Sequence, residues 1–156
     1  MSRRPSRAVQ TGEAIADRCR VPVATASGLI DLDHGRFEGL MGDEARALDP
    51  EAHRTLREDP WRARLPVGET LIDVKRRVLE ELSRIATRHP GKAVAAVSHE
   101  VPLRLVLAML MGVEGAGLWG IALPTGSIAA VRWETDALHL VQEPSLPPPR
   151  EPAKDR

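Results

Sequence analysis

Ser98 and His99 follow an uninterrupted apolar run, Ala93 to Val97 (AVAAV), and precede a helical-looking run from Pro102 to Met111. A histidine at the junction of a buried strand and a helix faces the positive end of the helix dipole. Free first-turn amides lie there too, and the setting favours an anion. The same position also suits a histidine that only caps or packs at a strand end. Arg7, in the stretch SRAVQT, offers a planar guanidinium fork matched to phosphate oxygens. A solvated arginine in a basic run is the plainer account of it. Asp31, Asp33 and His34 form an acidic group with one imidazole. Their spacing matches no strong metal signature, so general acid or base work by one carboxylate is the better functional reading. Cys19 falls on the apolar side of its helix, which makes it a buried, inert thiol.

The elements that must position these groups are legible in outline. A helical pattern runs from about Ser6 to Cys19, with Val9, Ile15, Ala16 and Cys19 on one side and Ser6 as N-cap. Pro22 to Thr25 is a short β-like run, and Leu29 to Gly39 reads as a loop leaving a short strand. Pro50 and Pro60 punctuate a polar region with room for one or two short helices. The clearest helix spans about Glu69 to Arg88, where Leu71, Val74, Val78, Leu82 and Ile85 build one apolar stripe. Lys75, Arg76, Glu80, Glu81 and Arg84 take the remaining faces, and Pro90-Gly91 stops the helix. Ala93 to Val97 suits a strand buried on both faces. Ile128 to Trp133 and Leu138 to Val141 read as a closing hairpin. This order predicts an α/β fold with a mostly parallel sheet flanked by helices on both faces. One domain, residues 1–143, is expected, with a Pro-rich disordered tail over residues 144–156.

Composition narrows the function classes. The chain has 156 residues, enough for one domain with a real core. Lys+Arg and Asp+Glu are 22 each, so nothing drives the chain generally toward nucleic acid or anionic membrane. With no Tyr and one Phe, stacking on bases is not expected. The longest apolar stretch, Leu105 to Val113, is far short of the roughly 20 residues that cross a bilayer. No apolar signal region follows Met1, so a cytoplasmic location is the expectation. A single cysteine excludes an internal disulfide and a cysteine-clustered zinc site.

Five short stretches change the reading through their order. They are Arg7-Ala8-Val9-Gln10-Thr11, Leu29-Ile30-Asp31 with Gly35-Arg36-Phe37-Glu38-Gly39, Gly68-Glu69-Thr70, Val97-Ser98-His99, and Leu123-Pro124-Thr125-Gly126-Ser127-Ile128. Together they resemble the histidine phosphatase superfamily, in its phosphoglycerate mutase-like branch, from about Ser6 to Val131. The resemblance implies an α/β protein that hydrolyses or transfers phosphate through a phosphohistidine intermediate, with no metal or other cofactor. It implies that Arg7 holds the phosphate and that His99 contacts it and stabilises the transition state. Asp31 stands where the family usually has a glutamate that protonates the leaving oxygen. Glu100 replaces a common glycine; its backbone amide is expected to face the phosphate while its carboxylate turns away. The partner implied is a small phosphorylated metabolite.

The family also begins with a central strand ending in Arg-His-Gly, whose histidine is the nucleophile. No Arg-His-Gly occurs in these 156 residues, and the match begins at the helix after that strand. The expectation is therefore a chain lacking that strand and its nucleophile, with His34 the least implausible stand-in. An apolar run such as Ala93 to Val97 would then have an unpaired edge, which makes a homo-oligomer possible. Two functions follow: a phosphomonoesterase or mutase once the nucleophile is present, or a catalytically inactive module that binds a phosphorylated ligand through Arg7 and His99.

Overall fold

The structure is a computed structural model, and it describes residues 7–134 and 137–147. Helix α1 spans Arg7–Cys19, α2 Gly42–Leu48, α3 Pro50–Glu58, α4 Leu71–Arg88 and α5 Glu100–Met111, followed by strands β1, Ile128–Glu134, and β2, Ala137–Ser145. Short 3-10 turns lie at Ser27–Leu29, Gly35–Phe37, Pro60–Arg62 and Gly115–Gly120.

Helix α4 forms where the apolar stripe places it and starts at a cap. The Thr70 hydroxyl accepts from the Asp73 amide at 3.2 Å and donates to the Asp73 carboxylate at 2.6 Å. Leu71, Val74 and Val78 are buried, as the stripe predicts. Glu81, expected on a solvent face, is buried as well. Its carboxylate accepts from the Gly28 amide at 3.3 Å and from Arg84 at 2.8 Å, which meets the cost of burying it. Helix α5 is apolar nearly all round and supplies Leu105, Val106, Leu107 and Ala108 to the core. Gly112, at φ +66, ends it in the left-handed conformation that glycine adopts without strain. Leu118 and Ile121 close the core from the turn that follows.

The sheet differs from the expectation. Among the described residues there is one two-stranded sheet, the antiparallel β1–β2 hairpin, in place of a mostly parallel sheet flanked on both faces. Trp133 pairs with Leu138 and Val131 with Leu140, with a register irregularity between Ile128 and Val131. The run Ala93 to Val97 forms no strand, and residues 93–96 are exposed instead of buried on both faces. Pro22 to Thr25 likewise forms no strand, and Val21 and Val23 are exposed. A doubly buried strand needs partners on both edges for its amides and carbonyls, and no described segment pairs with either run. Cys19, expected to be buried, is exposed; of its helix only Ala16 is buried. Strand β2 runs on through Pro144 and Ser145, past the expected boundary at residue 143. The Ser6 cap and residues 148–156 lie outside the described residues.

The connection between α1 and α2 is irregular, yet α4 fixes it. The Arg77 guanidinium donates from Nη1 to the carbonyls of Gly28 (2.9 Å) and Ile30 (2.8 Å), and from Nη2 to that of Asp31 (2.7 Å). Its Nε and Nη2 also form a two-pronged pair with Glu69, both at 2.8 Å. Glu69 is bonded to the same connection further on: its carboxylate accepts from the Asp33 amide at 3.1 Å, and its amide donates to the Asp33 carbonyl at 3.0 Å. The Arg77 side chain bonded to it, followed by the Asp33 amide and opposed by partial burial, holds the Glu69 carboxyl below the usual glutamate range. Where the two segments cross, a Cβ on Gly35 would lie 2.2 Å from the Pro66 carbonyl oxygen, and Gly35 has φ +55. Only glycine fits there.

Leu105→Ala is expected to cost about 3 kcal/mol, because it empties a fully buried position in α5; urea unfolding measures it. Glu69 contributes stability that is present above the ordinary glutamate value of 4.5 and is lost as pH falls through its lowered folded value. Urea midpoints between neutral and acid pH should therefore drop on acidification, and Glu69→Gln should flatten that drop.

Candidate active site

Three residues far apart in the chain meet at one carboxylate oxygen. Asp31 Oδ2 lies 3.5 Å from His99 Nδ1 and 3.7 Å from a terminal nitrogen of Arg7. Arg7 comes from the first turn of α1, Asp31 from the connection clamped by Arg77, and His99 is the N-cap of α5. The His99 side chain is 13% exposed, Asp31 35% and Arg7 85%, so the cluster grades from a covered imidazole to an open cation. Both separations exceed a good hydrogen bond, and the exposed Arg7–Asp31 pair by itself adds little stability. One tie comes from a neighbouring side chain: Ser98 Oγ donates to the Leu29 carbonyl at 2.7 Å, joining the residue before His99 to the segment that carries Asp31. Asp31 Oδ1 accepts from the Leu32 amide at 2.9 Å, which leaves Oδ2 toward Arg7 and His99.

Glu100 is the first residue of α5, and its carboxylate pairs with Arg104 one turn along. Arg104 is anchored in turn: its Nη1 donates to the Trp119 carbonyl at 2.7 Å, and its guanidinium lies 5.9 Å from the Trp119 ring centre. Trp119 Nε1 donates to the Leu56 carbonyl at 2.8 Å, which extends the chain of contacts to α3. The negative charge beside His99 is thus matched by a cation on its own helix. The backbone amides of the first turn of α5, that of Glu100 included, have no helical acceptor.

His34, His53, His89 and His139 make no hydrogen bond or ion pair with Arg7, Asp31 or His99 among the described residues, so His34 gains no support as a stand-in nucleophile. Among the described residues no three His, Cys, Asp or Glu side chains are grouped to hold a metal ion. No described helix is long and apolar enough to cross a membrane. Sequence reasoning missed Arg77, Glu69 and Arg104 as determinants of the cluster. A signal existed for Arg77: it lies three residues after Val74 and four before Glu81, on the side of α4 that enters the core.

The arrangement brings together two cationic or hydrogen-bonding groups, one carboxyl and a helix N-terminus, a set that suits a tetrahedral anion and protonation of one of its oxygens. The family described as "Histidine phosphatase superfamily (branch 1)" matches residues 4–143. The chain is 30% identical over 124 residues to "Phosphoserine phosphatase 1" of Hydrogenobacter thermophilus, covering 80% of this chain and 59% of that protein. It is similar in structure to "Bacillus stearothermophilus YhfR", with a TM-score of 0.81 and 28% identity, over 88% of this chain and 68% of that one. A mycobacterial glucosyl-3-phosphoglycerate phosphatase shares the fold, with a TM-score of 0.73 and 21% identity over 88% of this chain and 70% of the other. The chain spans less than two thirds of the length of the phosphoserine phosphatase it matches. With the family match running across nearly the whole described structure, the chain belongs to the histidine phosphatase superfamily.

Proposed function

We propose that this chain binds the phosphoryl group of a small phosphorylated metabolite and serves phosphomonoester hydrolysis, or phosphoryl transfer, through a phosphohistidine intermediate. The observation that carries the reading is the meeting of Arg7, Asp31 and His99 at a single carboxylate oxygen. A phosphoryl group in transfer spreads negative charge over its equatorial oxygens, so cations and amides around it lower the barrier. Arg7 supplies the fork, His99 a ring N–H, and the Glu100 amide a donor at the helix N-terminus. Asp31, once protonated, gives its proton to the leaving oxygen, which spares the expulsion of a poor alkoxide. The similarity to a phosphoserine phosphatase supports a small phosphorylated substrate.

No Arg-His-Gly motif is present in these 156 residues to provide the family's nucleophile. That observation favours a second reading for the chain taken by itself, a phosphate-ligand-binding module without turnover. Turnover of p-nitrophenyl phosphate after an Arg-His-Gly strand is supplied ahead of residue 1 separates the two, because only the first reading includes it.

Arg7→Ala and His99→Ala are each expected to abolish binding of inorganic phosphate, while Cys19→Ala leaves it intact; titration calorimetry reads all three. Unchanged binding in both site variants rules out the proposed site.

A further inference from the structure

We propose that Arg77 is the positioning residue of this site, holding the Asp31 carboxyl where it meets His99 and Arg7; the inference rests on the anion-site reading above. All five N–H donors of its guanidinium are engaged, three with the carbonyls of Gly28, Ile30 and Asp31 and two with Glu69. No hydrogen bond in the site itself does this work. The contacts of Asp31 to Arg7 and His99, at 3.7 and 3.5 Å, are too long to fix a loop, and its one close side-chain bond is to the adjacent Leu32 amide. The segment is irregular apart from the 3-10 turn Ser27–Leu29, so it has no ladder of its own to keep it in place. Arg77 replaces that ladder, gripping the chain at the Asp31 carbonyl itself.

The planar fork matters as much as the charge. Three carbonyls and a carboxylate are met by one rigid group, which loses little rotamer freedom for each bond formed. A lysine ammonium has three donors and no such plane. Arg77 acts through Asp31 and does not touch the anion, so its removal shifts the carboxyl against which Arg7 and His99, the donors to the phosphate, are placed. A displacement of the order of 1 Å is enough to matter in such a site.

The test compares Arg77→Met with Leu82→Ala, a core truncation five residues further along α4 that leaves the fork untouched. Two quantities are read: affinity for inorganic phosphate by calorimetry, and amide hydrogen exchange over residues 28–33 and 105–108. Arg77→Met is expected to weaken phosphate about tenfold and to raise exchange at residues 28–33 while residues 105–108 stay protected. Leu82→Ala is expected to lower the thermal midpoint with phosphate affinity unchanged. The proposal is overturned if Arg77→Met keeps native affinity, or if Leu82→Ala loses as much affinity at an equal loss of thermal stability. Native affinity in Arg7→Ala and His99→Ala overturns the site reading, and the positioning role with it. A loss in those two variants with none in Arg77→Met overturns the positioning role alone.

Discussion

A single guanidinium organises the segment that brings Asp31 to Arg7 and His99. Arg77 leaves a helix whose other inward residues, Glu81 apart, are apolar, and it spends every N–H it has on backbone carbonyls and one carboxylate. A mostly covered cation is tolerable only when its donors are all met and a counter-charge is present. Glu69 provides that charge, and its own bonds to Asp33 carry the constraint along the chain. Without this node the segment from Gly28 to Asp33 would be held mainly by the Ser98 hydroxyl and the Glu81 contact to Gly28.

The same economy of charge governs the other side of the cluster. Glu100 would repel any anion held by His99 if its carboxylate faced the site unopposed. Arg104 draws it along the helix, and the carbonyls of Trp119 and Leu118 hold Arg104 where it can do so. Around His99, charge is therefore arranged in pairs: Asp31 with Arg7 and Glu100 with Arg104. Trp119 then passes the constraint to α3 through its indole N–H.

Much of this was legible in the sequence, for reasons that can be named. Helix α4 announced itself through a periodic stripe and the Pro90-Gly91 stop, and α5 through its apolar run with Pro102 in the first turn. The hairpin followed from two β-rich runs around a polar turn. Arg7, Asp31 and His99 were found because the order of five motifs resembled a family, and the structure brings their side chains together. Ala93 to Val97 was misjudged because an apolar pattern reports what a segment would bury and says nothing of whether a neighbour exists to cover it. Cys19 failed for the same reason on α1. Arg77 and Glu81 were placed among solvent-facing charges or passed over, since hydropathy cannot distinguish an ionic group at the surface from one that is buried and fully bonded.

The crossing of Gly35 over Gly68 carries a lesson about how this surface can vary through descent. A side chain at Gly35 would strike the Pro66 carbonyl, and one at Gly68 would come within 2.5 Å of the Asp33 carbonyl. Neither segment can drift in composition alone; a bulkier residue on one is admissible only after the other has retreated, and retreat breaks the Glu69 bonds. Diversification is thus channelled away from this knot, toward stretches such as Gly42 to Glu58 whose outer faces press on nothing. The knot itself stays fixed while such outward-facing stretches are free to change.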